Sequence, residues 1–464
     1  MANARTRVAI HTLGCKANQA DSESLGLQLS LCGYQLVDSA EQAEVYVLNS
    51  CTVTGIADRK SRAFLRHIHR AHPESLVVAT GCYARRAPDE LRLIQGVDIV
   101  SQDTDITSLV DVLRHTMPPG PTTTTEQSHP LRTRSFVKIQ DGCNSACSYC
   151  VVPRVRGREV SRSMAEVLTQ VQQRVAYGYQ EVVLTGTNVG RYGHDGTSLG
   201  ELAAGVLAVT GVRRLRLSSL QPQDIGEHLL SLWKDQRLCR HLHLPLQSGS
   251  DGVLRRMGRR YTVEAYRRAV LLVKERIPDI AVTTDIMVGF PGESEKEHQE
   301  SMALCSELDF AAIHVFPYSP RPGTPAVEMS GQVEPRVKRR RAKELLQLSR
   351  ESTRRFQTHF LGRSLPVLWE GAAAQKADTW SGLTDNYIRV MATSLVPLNN
   401  VILPTRLVSL AGNKVWGQPE LPLPVCERDT GRQGLTNLTP ESYAGCGSAS
   451  KAYCGAISSN SFCP

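Results

Sequence analysis

Short apolar runs alternate with amphipathic stretches over residues 5–117. Val8-Ala-Ile-His-Thr-Leu13, Val45-Tyr-Val-Leu48 and Leu76-Val-Val-Ala79 read as strands, because they are rich in aliphatic and β-branched residues and stop at polar or glycine positions. Between and after them, Asp21–Leu31, Ala57–His69 and Pro88–Gln95 place apolar residues at helical spacing. Strand–helix alternation of this kind predicts a parallel sheet with right-handed crossovers. The run Pro118-Pro-Gly-Pro-Thr-Thr-Thr-Thr interrupts the pattern and reads as a linker over 118–132.

A second alternating segment covers 133–361. Its predicted strands are Phe136–Ile139, Glu181–Thr185, Arg214–Leu217, His241–Leu244, Ala281–Met287 and Ala312–Phe316. Helical stretches such as Met164–Ala176 and Val263–Glu275 separate them, and a long Arg/Lys-rich helix over Val337–Phe356 closes the segment. Six such units predict a partial (β/α)6 barrel of the TIM type. Over 362–424 the pattern changes to short strands, Pro366–Glu370, Tyr387–Met391, Val401–Leu410 and Lys414–Gly417, broken by Gly, Asn and Pro. These predict a small antiparallel β-barrel. Residues 425–464 are rich in Ser, Gly, Thr and Asn and read as an irregular tail. The fold class is therefore α/β with three domains, and no internal repeat is visible.

Composition narrows the classes. The 464 residues are 41% hydrophobic and 21% charged, which suits a globular chain and excludes a disordered one. No apolar run approaches the roughly 18–20 residues of a membrane span. The first ten residues lack a secretory h-region, so a cytoplasmic location is expected. A net charge of +9 is compatible with a polyanionic partner. Thirteen cysteines, an odd number in a long chain, argue against a disulfide scaffold and toward metal or catalytic roles.

Gly142-Cys143-Asn-Ser-Ala-Cys147-Ser-Tyr149-Cys150 carries the strongest chemistry. Its C-x3-C-x2-C spacing lets three thiolates from one loop hold an iron–sulfur cube whose fourth iron stays open to a small molecule. The run follows the first predicted barrel strand, at the carboxyl end where barrels build their sites. A structural zinc knuckle would want a fourth Cys or His nearby, and none follows Cys150 closely. A second trio is spread along the chain. Cys15, Cys51 and Cys82 each follow one of the first three predicted strands, and in a parallel sheet the loops after strands open on one edge. Cys15 and Cys82 also follow glycines, which let a backbone approach a cluster closely. Single buried cysteines at strand ends are common; three in equivalent places predict a second cluster site.

The first run resembles the signature of the radical S-adenosylmethionine superfamily. In that family the open iron chelates the cosubstrate's amino and carboxylate groups. The resemblance implies that Tyr149 lies near the adenine. It also implies that Leu184-Thr-Gly186-Thr-Asn188, Ser218-Ser-Leu-Gln221-Pro222 and Gly289-Phe-Pro-Gly292-Glu293 line the cosubstrate. With both trios, residues 5 to about 420 resemble the methylthiotransferases, whose C-terminal barrel is of the TRAM type. Gly14-Cys-Lys-Ala-Asn18, Ser50-Cys-Thr-Val-Thr54, Ala57-Asp-Arg-Lys-Ser-Arg62, His241-Leu-His-Leu-Pro-Leu-Gln-Ser-Gly-Ser250, Met257-Gly-Arg-Arg-Tyr261 and His314-Val-Phe-Pro-Tyr318 resemble the branch acting on N6-threonylcarbamoyladenosine in tRNA.

This resemblance implies two [4Fe-4S] clusters, one on Cys143, Cys147 and Cys150 and one on Cys15, Cys51 and Cys82. S-adenosylmethionine would be both radical source and methyl donor, the first cluster activating C2 of the adenine and the second delivering sulfur. The implied partners are a tRNA anticodon stem-loop, a low-potential electron donor and a sulfur source. An unactivated aromatic C–H offers no acidic proton, so a reactive cofactor has to perform its cleavage.

Two departures stand out. Ala17 replaces an expected Val, and Gln221 stands where a Glu is expected, keeping hydrogen bonds but losing charge. The alternatives are the same chemistry on isopentenyladenosine or a ribosomal protein and, from another class, a zinc-containing RNA-binding protein. Arg59, Lys60, Arg62, Arg66 and Arg70 form one basic helix, and Lys338-Arg-Arg-Arg341, Lys343, Arg354 and Arg355 another; both suit RNA phosphates or a solvated face. His241 and His243 read as packed barrel-interior residues, and Cys32, Cys239 and Cys305 as core. Cys426, Cys446, Cys454 and Cys463 of the tail read as low-complexity drift.

Overall fold

Hydrophobic strands β1 (Arg7–Thr12), β2 (Gln35–Val37), β3 (Val45–Ser50), β4 (Leu76–Gly81) and β5 (Ile99–Val100) form one parallel sheet in the order β2-β1-β3-β4-β5 in the computed structural model. The structure describes residues 5–38, 41–103, 105–120, 133–372 and 378–420. The tail and its four cysteines, and most of the 118–132 linker, lie outside the described residues. β3 is buried along its whole length, as a central strand covered on both faces must be. One face packs Tyr46, Leu48, Leu65 and Tyr83, the other Val45, Val47, Leu25 and Leu29.

Helix α1 (Lys16–Leu31) starts five residues earlier than the pattern predicts, with Cys15 as its N-cap. Cysteine is not a residue that signals a helix start, which explains the difference. Strands β2 and β5 and the helix Ile106–Thr116 are also absent from the sequence reading, the strands being only three and two residues long.

The barrel strands are β6 (Arg134–Asp141), β8 (Glu181–Gly186), β11 (Arg214–Leu217), β12 (His241–His243), β13 (Ala281–Val288) and β14 (Ala312–Pro317). Short pieces β7 (Val160–Ser161), β9 (Gly193–His194) and β10 (Thr197–Ser198) lie between them in the chain. β6, β8 and β11 pair in parallel, as do β12, β13 and β14, and parallel bridges Leu215–Leu238 and Ser219–His243 join the two halves. The six strands leave the barrel open between β6 and β14. Helix α1 packs along β6: Glu23 Oε2 accepts from the Ser135 hydroxyl at 2.8 Å and the Phe136 N–H at 2.9 Å.

The C-terminal strands β15 (Ser364–Ala372), β16 (Thr379–Thr384), β17 (Arg389–Thr393), β18 (Ile402–Ala411) and β19 (Lys414–Pro419) close into a barrel around Trp369. It is not wholly antiparallel as predicted, since β17 and β19 pair in parallel. A closed ring of five strands cannot alternate direction throughout, so a parallel pair is obligatory. β16 escapes the sequence pattern because Gly382 interrupts it. A Cβ there would meet Val367 Cγ1 at 2.4 Å, so only glycine fits.

This barrel caps the amino ends of the (β/α)6 strands. Tyr387 stacks on His241 with centroids 4.1 Å apart, and Arg216 donates to the Asp385 carbonyl at 3.0 Å. Glu181, fully buried, takes Arg216 at 2.7 Å and Arg214 at 3.0 Å. Burial works against its charge, but the Arg216 and Arg214 guanidiniums prevail and hold the carboxyl down at about 2.

Removing this charge strands two buried guanidiniums. Glu181→Gln should therefore cost about 3–5 kcal/mol at neutral pH, read as a lower Tm. Because the folded-state pKa is depressed, the wild-type advantage should be full above the ordinary value of 4.5 and fade as pH falls toward 2. Equal Tm values at pH 7 would contradict this account.

Candidate active site

Register explains how three distant cysteines meet. Thr12 faces Asn49, Asn49 faces Thr80 and Ser50 faces Gly81 across β1, β3 and β4. Cys15, Cys51 and Cys82 therefore leave one sheet edge side by side. A Cβ on Gly14 would lie 2.8 Å from Cys51 Cβ, and φ is +114° there, so glycine is needed for this approach. Burial first, and then the neighbouring Cys15 and Cys82 thiols, push the Cys51 thiol up to about 12 against one backbone N–H from Val53. Burial likewise raises Cys82. The amino end of α1 opens at Cys15 with no acidic residue in its first turn, so its dipole favours thiolates.

Asn18 ties the three loops together. Its Nδ2 donates to the carbonyls of Leu13 (2.8 Å) and Ser50 (3.0 Å), while its Oδ1 faces the Sγ atoms of Cys15 (3.8 Å) and Cys82 (3.9 Å). The same Oδ1 accepts from Arg156 Nη2 at 2.5 Å. Arg156 ends the short helix Val152–Arg156 that follows Cys150, and it also pairs with Asp21 (3.1 Å) and Asp141 (2.9 Å). A second arginine, Arg321, reaches from the loop after β14 to Asp58 (2.6 Å) and the Thr52 carbonyl (3.2 Å) beside Cys51. Two buried guanidiniums of the (β/α)6 part thus grip the trio of the first sheet.

Cys143, Cys147 and Cys150 sit together after β6, with Cys143 Sγ accepting from the Ser145 N–H at 3.4 Å. Burial, opposed by the Val152 N–H and reinforced by Cys147 and Cys143, brings the Cys150 thiol up to about 11. Thiols this basic give up their protons only to a strongly bound cation.

Several predicted cosubstrate residues gather beside Cys143, Cys147 and Cys150. Tyr149 packs half-buried against Phe290, ring centroids 6.3 Å apart, and its hydroxyl accepts from Arg259 at 2.6 Å. Arg259 also donates to Gln221 Oε1 at 3.3 Å, which links Tyr149 to Gln221. Gly186 lies against Gln140, whose carbonyl would be 2.6 Å from a Cβ. The Asn188 N–H donates to Gln140 Oε1 at 2.8 Å. Asn188 Oδ1, Thr185 Oγ1 and Ser218 Oγ are buried without hydrogen-bond partners near the carboxyl ends of β8 and β11. Unsatisfied buried polar atoms at that edge suit a polar small molecule. Gly289 and Gly292 instead face Lys338 and Arg256 and provide left-handed turn geometry (φ +69° and +73°).

The barrel interior holds a polar group that the sequence reading does not assemble. His243, Asp285 and His314, on β12, β13 and β14, place donor atoms within 4.8 Å of one another. Lys16, next to Cys15, is half-buried. Burial, then Arg216 and Arg134, lower its ammonium to about 8 against Glu181 and Asp285. His241 and His243 are buried, as expected of interior positions; Cys239 and Cys305 are core, whereas Cys32 is only half-buried. On the basic helix α2 (Gly55–Ala71), Arg59, Lys60, Arg66 and Arg70 are exposed and Arg62 bonds the Tyr83 hydroxyl. The other basic helix, Pro335–His359, is less available: Arg341 is buried on Glu293, Arg340 pairs with Glu295, and Arg355 with Asp309.

Residues 137–305 match the model of the radical SAM superfamily, and residues 7–101 match one described as uncharacterized protein family UPF0004. The chain is 38% identical over 407 residues to the threonylcarbamoyladenosine tRNA methylthiotransferase MtaB of Bacillus subtilis, spanning 83% of this chain and 90% of that one. The Thermotoga maritima protein of that name is 35% identical, spanning 78% and 86%. The tRNA-2-methylthio-N(6)-dimethylallyladenosine synthase of Syntrophotalea carbinolica is 36% identical, spanning 88% and 98%. Among solved structures, the radical S-adenosylmethionine methyltransferase TsrM of Kitasatospora setae aligns with a TM-score of 0.51 at 16% identity, over 70% of this chain and 75% of that one, which shows a shared fold.

If Asn18 fastens the three loops, Asn18→Ala should weaken iron retention by Cys15, Cys51 and Cys82. In a background with Cys143, Cys147 and Cys150 changed to Ala, iron held after anaerobic reconstitution should fall at least about threefold. Unchanged iron content would show that the loops hold themselves.

Proposed function

The chain belongs to the radical S-adenosylmethionine methylthiotransferases, and from that premise we propose that it methylthiolates C2 of N6-threonylcarbamoyladenosine next to the anticodon of tRNA. The supporting observation is the juxtaposition of two thiol trios across one buried arginine: Arg156, six residues after Cys150, lies against Asn18 and beside Cys82. Relatives named for threonylcarbamoyladenosine share 35–38% identity with the chain and support this substrate over the dimethylallyl one.

In this reading Cys143, Cys147 and Cys150 hold one [4Fe-4S] cluster and Cys15, Cys51 and Cys82 the other. With S-adenosylmethionine, the bound clusters supply radical C–H activation at one trio and sulfur for transfer at the other. The chain's own residues orient and enclose. Tyr149, held by Arg259, walls the cosubstrate site; Thr185, Asn188 and Ser218 offer it unpaired polar atoms. Arg156 and Arg321 hold the sulfur-bearing edge against the barrel, so the distance between the trios does not drift as RNA enters. Exposed Arg59, Lys60, Arg66 and Arg70 on α2 face solvent beside Cys51 and suit the phosphates of a folded RNA. A low-potential one-electron donor and a source of replacement sulfur complete the cycle. The described residues include no helix long and apolar enough to cross a membrane.

tRNA from a deletion strain should lack 2-methylthio-N6-threonylcarbamoyladenosine and regain it on complementation. Loss of the isopentenyl counterpart instead would reassign the substrate. The purified anaerobic protein should bind about eight irons. Cys147→Ala should cut 5′-deoxyadenosine formation at least about a hundredfold, whereas Cys51→Ala should spare most of it and lose thiolation. Equal loss of both activities would contradict separate roles for the trios.

A further inference from the structure

Inside the (β/α)6 barrel, β12, β13 and β14 turn polar side chains toward one another. Strand pairing sets Asp285 opposite His314, and His243 opposite Thr283, two residues before Asp285. Their chain neighbours face the other way. Leu242, Leu244, Ile286 and Ile313 pack in the core between the strands and the surrounding helices, and the Ile313 N–H and carbonyl bond Ser349 Oγ of the long helix. Because side chains alternate along a strand, His243, Asp285 and His314 share the interior face.

Their donor atoms converge. His314 Nδ1 lies 3.2 Å from Asp285 Oδ1, His243 Nε2 lies 3.2 Å from Oδ2, and one donor atom from each of the three residues lies within 4.8 Å of the other two. A charge-assisted N–H···O bond closes to about 2.7–2.9 Å, as the buried His298–Glu344 pair does at 2.8 Å. Ligand atoms side by side on a metal with bonds of about 2.0–2.2 Å stand about 2.9–3.5 Å apart, and both Asp285 contacts fall in that range. The charge points the same way. Among the described residues, no lysine or arginine comes within ion-pair distance of the Asp285 carboxylate, which only the two imidazoles reach. With neutral imidazoles the group carries one uncompensated negative charge on a side chain 23% exposed. An enclosed carboxylate without a cation is costly. His243 is also braced as metal ligands are: Thr283 engages its Nδ1 at 2.9 Å, which turns Nε2 to Asp285. Thr283 in turn engages His241 Nε2 at 3.1 Å, on which Tyr387 stacks. The His314 side chain is 52% exposed, which leaves a way in.

We infer that His243 Nε2, His314 Nδ1 and the Asp285 carboxylate bind one divalent metal ion of the zinc class, at a site distinct from both cysteine trios. Two imidazoles and one carboxylate suit zinc and its first-row neighbours, whereas magnesium and calcium want an all-oxygen shell. The ion supplies the positive charge that Asp285 lacks. Three protein ligands leave a coordination position for water or for an oxygen of a molecule bound in the barrel. The assignment holds whichever nucleoside the enzyme modifies.

The test loads full-length enzyme, its clusters reconstituted anaerobically, with zinc ions, removes the excess on a desalting column and measures zinc and iron together. Wild type should keep about one zinc per chain beside its iron. Crystals of that material should show an anomalous peak at the zinc edge between His243, Asp285 and His314. Asp285→Asn and His314→Gln should each weaken zinc binding at least about tenfold while iron content stays at the wild-type level, which also reports that the variants fold. Thr283→Val, which removes the brace on His243 but no ligand, should weaken zinc binding about tenfold, and Thr283→Ser should restore it. Wild type that keeps no zinc would overturn the inference, as would zinc binding undiminished in both Asp285→Asn and His314→Gln. An anomalous peak on the trio cysteines or on surface carboxylates instead would make the ion adventitious and overturn it as well.

Discussion

A buried guanidinium shared between two halves of the molecule is the contact on which the rest depends. Arg156 has almost no exposed surface, and its charge is met by Asp21, Asp141 and the Asn18 side-chain Oδ1. Desolvating an arginine is expensive, and only a full set of acceptors makes it tolerable. Those acceptors come from both the first sheet's helix and the barrel's first strand, so the two parts must dock for the set to exist. Docking in turn brings Cys82 and Cys15 beside the loop that carries Cys143, Cys147 and Cys150. Burial and neighbouring carboxylates thus do structural work at the point where two reactive centres must stay in register.

The two ends of the (β/α)6 barrel divide the labour. At the amino ends of the strands, Glu181, Arg214, Arg216, Arg240 and Asp385 satisfy one another, and Tyr387 covers His241. That end is closed and its charges are neutralised. Toward the carboxyl ends the opposite holds: Thr185, Asn188 and Ser218 carry unsatisfied atoms, and His314 and Phe316 are open. A protein tolerates unsatisfied polarity where a ligand supplies the missing partners, and this contrast marks the working end without reference to any motif.

The barrel architecture and the placement of the six cysteines after strand ends were legible in the chain because each has a short-range signature. Strand periodicity, the C-x3-C-x2-C spacing and cysteines one to three residues past strand ends all survive without knowledge of long-range contacts. Boundaries were less so, as with α1, whose start is capped by a cysteine, and β16, whose glycine exists to let Val367 approach. The surface reading of Pro335–His359 also needed correction, since a run of arginines looks the same whether it faces solvent or, like Arg341, a buried glutamate.

By itself the sequence determined which atoms can do chemistry: six thiols in two trios, glycines where backbone must come close, and an alternation of strand and helix that sends the loops to one edge. Only the tertiary structure decided what those atoms work beside. Arg156 and Asn18 lie 138 residues apart, and His243, Asp285 and His314 occupy three separate strands, so no local pattern links them. Their partnership follows from the way parallel strands stack side chains across a sheet and from the cost of burying a charge without company, and both are properties of the folded chain rather than of any segment of it.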